Sequence, residues 1–298
     1  MKNHISLFIF AIALLSGPVS ANDLSMTAVK DTLASIPGEH NYIYVRTPLG
    51  EDEEKNYDEI TFYDGLGREL DFAQSYGADR AGAIMAHHHL IEYDSLGRKE
   101  KQWLSTNTSF SYMSPEDLKG GVLWDYHDAG KRSYLQTNYE SSPLNRITEQ
   151  YGVGDAWGDH PARMEYLTNI PADSLRCSFY FIDDNDSLIR RGDYRSGELQ
   201  VTKATDEDGK PTYTFVDKQG RTLLTRLGRG NQQADTYFVF DRFGRIRYVL
   251  PPMINDEISA GNLDLYAYQY LYDSFGRCIS KKLPGCAAIR YVYDKADR

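Results

Sequence analysis

At several places along the chain, apolar rings fall at every second position. In LDLYAYQYLYD, residues Tyr266, Tyr268, Tyr270 and Tyr272 fall at every second position. A strand turns alternate side chains to one face, so this period puts all four rings on a single face, where a helix would scatter them. Tyr42 with Tyr44, Phe238 with Phe240, and Tyr291 with Tyr293 repeat the pattern, and CSFYFID from Cys177 reads as another short strand. Aromatic residues at period two predict a mostly β chain. Helical signals are few. SPEDLKGG from Ser114 offers an N-cap, Pro115 at the first helical position and a glycine stop, which predicts one or two turns. TAVKDTLASI, ended by Pro37-Gly38, reads as a second short helix. EDEEK from Glu51 reads as a solvated hairpin tip, and residues 120–173 read as irregular, anchored by Trp124 and Trp157.

Between the alternating segments stands a repeated punctuation. YDGLGR supplies Tyr63, Asp64, Gly67 and Arg68; YDSLGR supplies Tyr93, Asp94, Gly97 and Arg98; YDSFGR supplies Tyr272, Asp273, Gly276 and Arg277. FVDKQGR, with Asp217, Gly220 and Arg221, and FDRFGR, with Asp241, Gly244 and Arg245, exchange Tyr for Phe215 and Phe240. YDKADR keeps Tyr293, Asp294 and Arg298 but has Asp297 where the others have glycine. Asp at the first position of a four-residue turn accepts backbone N–H groups from the residues after it. Gly at the fourth tolerates the positive φ of a type I turn followed by a bulge, and Arg opens the next strand. The motif is therefore a strand–turn–strand mark, and the last three intervals, 25, 32 and 21 residues, suit a hairpin unit with insertions.

Aromatic–Asp–x–x–Gly–Arg at such spacing resembles the YD repeat of RHS (rearrangement hotspot) and teneurin-type proteins. The resemblance is strongest to bacterial RHS-repeat proteins that open with a signal peptide and a dedicated N-terminal domain. It is carried by NYIYVRTPL at 41, ITFYDGLGRELDFAQ at 60, IEYDSLGRKEKQWL at 91, YESSPLNRI at 139, GVGDAWGDH at 152, FDRFGRIRYVLPP at 240 and YQYLYDSFGRCISKKLPG at 268. It implies an all-β fold, an antiparallel, hairpin-built curling sheet of the shell-like YD-repeat kind, preceded by a partly irregular β domain. In the toxin members the shell encloses a C-terminal cargo domain. Here the chain stops at Arg298 inside a repeat, and six copies are too few to close a shell, so we expect the N-terminal part of something longer. The expected organisation is a leader over 1–21, an N-terminal β domain over 22–200 and a repeat segment over 201–298. Nothing resembling a flexible linker marks the boundary near 200.

Composition narrows the setting. The start, a single Lys2, an apolar run from Leu7 to Leu15, a Gly17-Pro18 break and Val19-Ser20-Ala21, has the order of a secretory signal peptide. The run is too short to span a bilayer, so the product is expected in the periplasm, at the cell surface or secreted. A formal net charge of −10 argues against nucleic acid and anionic lipid as partners. Cys177, Cys278 and Cys286 are no disulfide framework, although Cys278 and Cys286 could pair.

Candidate chemistry is thin. His87 and His89 would share a strand face and could hold a metal with a carboxylate, but no second ligand set accompanies His87-His88-His89. The simpler reading is an exposed polar strand or loop. FIDDNDSL, with Asp183, Asp184, Asn185 and Asp186, and DEDGK, with Asp206 and Asp208, look faintly like calcium loops but lack the Glu at the twelfth position; as turns they need no ion. The repeat aspartates recur at every hairpin, whereas a catalytic acid is needed once. There is no Gly-x-Ser-x-Gly elbow, no cysteine nucleophile set and no glycine-rich phosphate loop. No metal, cofactor or catalytic residue is assigned. The tyrosine stripe could line a lumen or pack on a neighbour, and packing is the simpler reading. The expected function is non-enzymatic: the wall or cap of an exported RHS/YD-repeat protein, toxin-like or of the cell surface. Its partner would be the C-terminal remainder of its own chain or an encapsulated cargo domain. The alternative is a stand-alone secreted module that binds carbohydrate or protein.

Overall fold

The computed structural model describes residues 40–48, 56–78, 83–228, 233–254 and 256–296, with positions 29, 33, 34, 36 and 38. The leader, the EDEEK tip, Asp297 and Arg298 lie outside these residues, as does most of the first helical segment, of which Val29, Leu33 and Ala34 are helical. The chain forms two compact units, one of residues 1–137 with 152–158, the other of 138–151 with 159–298. The strand pairings of both units are antiparallel.

In the first unit, β1 (Asn41–Pro48), β2 (Asn56–Tyr63), β3 (Glu69–Ala78) and β4 (Ile84–Tyr93) form a meander through Tyr44↔Ile60, Ile60↔Ala73 and Ala73↔His88. The far edge of β4 is shared. β6 (Thr106–Ser109) takes its first half through His88↔Thr106, and β5 (Lys99–Trp103) takes its end through Ile91↔Gln102. β5 also pairs with β7 (Tyr134–Tyr139) through Trp103↔Tyr134. Period two is visible in β2, where Asp58, Ile60 and Phe62 are buried and their neighbours are not. Ile60, Phe62, Ala73, Ile84 and Ala86 meet Val29, Ile36 and Phe110 in one core. Each large side chain so buried stabilises by about 1.5–3 kcal/mol.

Helix α1 (Pro115–Asp125) begins as expected, with the Ser114 hydroxyl accepting the Asp117 N–H at 3.1 Å. It does not stop at Gly120-Gly121 but runs for 11 residues. Leu118 and Val122 are buried, and a Cβ on Gly121 would stand 2.7 Å from Thr106 Oγ1. The glycine lets the helix lie close against β6, and burial outweighs its helix cost of about 1 kcal/mol. Trp124, two residues past Val122, faces away and is 83% exposed, and Trp157 is 46% exposed. Neither is a buried anchor.

The second unit holds β8 (Ile147–Tyr151), β9 (Ala162–Thr168), a separate hairpin of β10 (Ser178–Ile182) and β11 (Leu188–Asp193), then β12 (Gln200–Thr205), β13 (Pro211–Val216), β14 (Thr222–Leu227), β15 (Ala234–Phe240), β16 (Ile246–Leu250), β17 (Tyr268–Tyr272), β18 (Cys278–Lys282) and the short β19 (Ile289–Arg290). β12 to β19 pair in sequence order, and β9 lies between β8 and β12. Residues 120–173 are thus not irregular: they carry β7, β8 and β9; β7 and β8 are half-buried on both faces and so show no alternation, whereas β9 alternates between half-buried and exposed positions. Residue 200, the expected boundary, is the first of β12, paired with Thr168 and Val216. Tyr266 leaves the tyrosine stripe, since helix α2 (Ala260–Tyr266), capped by the Ser259 hydroxyl, ends on it; Tyr268, Tyr270 and Tyr272 stay in β17. Tyr291 and Tyr293 lie beyond β19.

The core here lies between one sheet face, with Phe215, Leu224, Tyr237, Val239 and Leu250, and the β10–β11 hairpin, whose Tyr180 meets Tyr237 edge-on at 4.9 Å. Cys177 is buried in it, which pushes its thiol well above the ordinary range, and all three cysteines are free thiols.

Candidate functional site

The five complete turns share one construction. The Asp N–H donates to the Arg carbonyl at 2.9–3.0 Å, and the Gly N–H donates to the Asp carbonyl at 3.0–3.1 Å. Asp Oδ1 accepts two backbone N–H groups, from the second variable residue and from Arg, at 2.9–3.0 Å. Asp Oδ2 accepts the Arg Nε at 2.7 Å. Gly67, Gly97, Gly220, Gly244 and Gly276 have φ between +74° and +86°, the left-handed region a Cβ resists. A register shift at each closing aromatic marks the bulge.

By its place in the motif, Arg opens the next strand. In the turns of Arg68, Arg221, Arg245 and Arg277 the guanidinium also reaches to the following copy. Arg68 lies 4.5 Å over the Tyr93 ring, Arg221 5.1 Å over Phe240, Arg245 4.8 Å over Tyr272 and Arg277 4.9 Å over Tyr293. Where the ring is Tyr, its hydroxyl donates to the carbonyl just after that Arg: Tyr93 to Glu69 at 2.6 Å, Tyr272 to Ile246 at 2.9 Å, Tyr293 to Cys278 at 2.8 Å. Arg245 Nη1 also donates to the Asp273 carbonyl at 3.3 Å. The guanidinium groups of Arg68, Arg221, Arg245 and Arg277 therefore serve their own carboxylate and the next turn at once.

Three further loops are variants of this turn. In FIDDNDS, Asp183 Oδ1 accepts the Asn185 and Ser187 N–H groups, and Asp186 takes the glycine position at φ +64°. In DEDGK, Asp206 Oδ1 accepts the Lys210 N–H at 2.7 Å, with Gly209 at φ +77°. In YESSPLNR the turn is longer: Arg146 makes a two-pronged contact with Glu140 at 2.7 Å, Asn145 has φ +53°, and Arg146 stacks 4.5 Å over Tyr166, whose hydroxyl donates to the Ile147 carbonyl. Asp183 and Asp206 of the two faint calcium loops thus have turn duties. Asp186 spends its carboxylate on the buried Arg247.

The histidines divide as β4 dictates. His87 stacks on Tyr76 at 4.4 Å and His89 lies beside Phe72. His88 is not exposed: it is buried, with Nδ1 2.6 Å from Asp71 Oδ2 and Nε2 2.9 Å from the Ser109 carbonyl oxygen. Among the described residues, no group of three or more His, Cys, Asp or Glu side chains is placed to hold a metal ion, and no helix is long and apolar enough to cross a membrane.

The carboxylates of Asp64, Asp94, Asp241 and Asp273 titrate low. At Asp64 the main cause is the hydrogen bond from the Arg68 backbone. At Asp94, Asp241 and Asp273 burial pushes upward, and the bonds from the Arg backbone and guanidinium together outweigh it. Arg146 and Ser142 hold Glu140 down at about 2. A carboxylate depressed in the fold binds fewer protons there than in the unfolded chain. Its stabilisation is complete above the unfolded value, about 3.9 for Asp, and is lost as pH falls through the lower folded value. The urea midpoint is expected to hold from neutral pH to about 5 and to fall steeply below about 4. A midpoint in strong acid equal to that at neutrality would contradict this assignment.

A cleft of about 640 Å3 lies in the second unit beside two of these turns, lined by Phe179, Phe181, Tyr194, Phe238 and Phe240, with Gln219, Arg242 and Phe243 from the turns. Nothing in the sequence pattern pointed to it, because the β10–β11 hairpin that forms one wall is distant in sequence from the sheet.

Residues 41–168 match a family described as a domain of unknown function, DUF6443. No curated protein matches the chain. Among solved structures, the crystal structure of TcdB2-TccC3-TEV is similar with a TM-score of 0.54 at 12% identity, over 92% of this chain and 13% of that one. The chain shares this fold. The crystal structure of TcdB2-TccC3 gives 0.53 at 12% identity, over 95% and 14%. The Photorhabdus luminescens Tc holotoxin pore with a mutant TccC3 gives 0.54 at 12% identity, over 87% and 12%. This chain thus spans 12–14% of the length of these structures.

Proposed function

We propose that this chain is a non-enzymatic structural portion, wall or cap, of a larger exported RHS/YD-repeat protein. The observation that carries the reading is the ladder of arginines. Arg68, Arg221, Arg245 and Arg277 each pair with their own turn carboxylate and lie over the ring of the next copy, so the surface completed by one hairpin is another hairpin of the same kind. The aspartates that could be mistaken for catalytic acids are occupied in turns. The similarity in fold to TcdB2-TccC3 supports a setting in a toxin-like or cell-surface assembly. Its partners would be further parts of its own chain or an enclosed cargo domain, and the leader over 1–21 would deliver it to the periplasm, the cell surface or the medium.

A stand-alone secreted binding module is the second reading, favoured by the exposed Trp124 and the aromatic cleft. The two separate on the intact mass of the native product, captured from cells with an antibody to residues 60–100. A mass well above the 34.0 kDa of this chain is expected. A mass matching this chain less its leader would overturn the proposal in favour of the module.

A further inference from the structure

We propose that the cleft between the β10–β11 hairpin and the turns at 217–221 and 241–245 is a recognition site for an acidic polypeptide segment that inserts aromatic or aliphatic side chains. The floor is apolar and ready-made: Phe179 and Phe181 stack at 5.6 Å, and Phe179 meets Tyr194 edge-on at 4.8 Å. Its volume of about 640 Å3 is that of sites that enclose a few large side chains.

The mouth has the opposite charge to the chain. Asp241 is the acidic residue on the lining, and it is neutralised by Arg245 at 2.7 Å. Arg221 is likewise matched by Asp217. Arg242 is exposed and has no ion-pair partner among the described residues; its guanidinium rests 4.9 Å from the ring of Phe243, itself 68% exposed. Lys218, at the same position of the neighbouring turn and next to the lining residue Gln219, is also exposed and without an ion-pair partner there. The turn requires neither the cations nor the exposed ring, since Gly65 and Ser95 fill the first variable position elsewhere and Gln219 fills the second. On a chain of net charge −10, two free cations beside an aromatic floor fit a partner that is both apolar and acidic, and such rim charges set specificity and association rate. The inference stands whether or not the chain belongs to a larger assembly.

The test uses the full exported chain and a fluorescein-labelled peptide alternating Asp with Phe and Leu, followed by anisotropy. Its Lys counterpart and an oligothymidine strand serve as competing chemistries. Saturable binding of the acidic peptide, weakened by salt, is expected. The double variant Arg242→Glu with Lys218→Glu should weaken it about tenfold or more, and Phe181→Ala should weaken it too. Lys295→Glu, at another exposed turn position, should not. Circular dichroism melting confirms that each variant is folded, which is expected because Arg242, Lys218 and Lys295 sit at exposed tips. Equal binding of the Lys peptide, an unchanged affinity in the double charge variant, binding of the oligonucleotide alone, or no saturable binding would each overturn the proposal.

Discussion

Asp235→Ala is expected to destabilise the second unit by about 3–5 kcal/mol, because it strands a buried cation. The Arg226 side chain is 3% exposed. Its Nε and Nη2 donate to the two Asp235 oxygens at 2.7 and 2.5 Å, and Nη1 donates to the carbonyls of Ser174 and Arg176 at 2.9 and 2.8 Å. The carbonyls satisfy hydrogen bonds but bring no charge, so removing the carboxylate leaves the guanidinium desolvated and uncompensated. At roughly 2–4 °C per kcal/mol for a unit of this size, the melting temperature should fall by on the order of 10 °C. Replacing both partners by apolar residues, Arg226→Met with Asp235→Leu, should recover most of the loss, since the desolvation cost disappears with the charges. A single variant that melts within about 1 °C of the parent would show that water reaches Arg226 and that the pair carries little stability.

The same residue shows why part of this fold is readable from the chain and part is not. The turn Asp64–Arg68 can be read from six letters because every donor and acceptor in it lies within five residues. Arg226 occupies an inward position of β14, as the period of two requires, but a polar letter there reads as solvent-facing until its partners are known. Those partners come from β15 and from residues 174–176. His88 is inward on β4 in the same way, and its partner Asp71 is inward on β3. The degenerate turns were within reach: Asp183 with Asp186, and Asp206 with Gly209, keep an acid at the first position and a residue tolerant of positive φ at the fourth. What no local pattern could supply is the reach of Arg68, Arg221, Arg245 and Arg277 to the next copy, which depends on hairpins 21 to 32 residues apart lying side by side.

That reach can be measured. Gly67→Ala and Gly97→Ala are equivalent by backbone alone, with φ of +74° and +80°, and each should cost about 1–2 kcal/mol for holding a Cβ in the left-handed region. Their surroundings differ. A Cβ on Gly67 meets open space, whereas one on Gly97 stands 3.0 Å from Arg68 Nη1. A flexible arginine would simply retreat, but Arg68 is tied to Asp64 at 2.7 Å and lies 4.5 Å over Tyr93. Moving it gives up a paired, ring-stacked cation, so Gly97→Ala should cost on the order of 2–3 kcal/mol in all. The excess should vanish in an Arg68→Ala background, because the obstacle is gone, while the cost of Gly67→Ala should change far less. Chemical denaturation of the parent, the three single variants and the two doubles closes the cycle. If the two glycines cost the same, the guanidinium yields freely and successive turns fold as independent units. If Gly97 costs more and only while Arg68 is present, stability passes from one turn to the next, and a missing neighbour weakens the hairpin that remains.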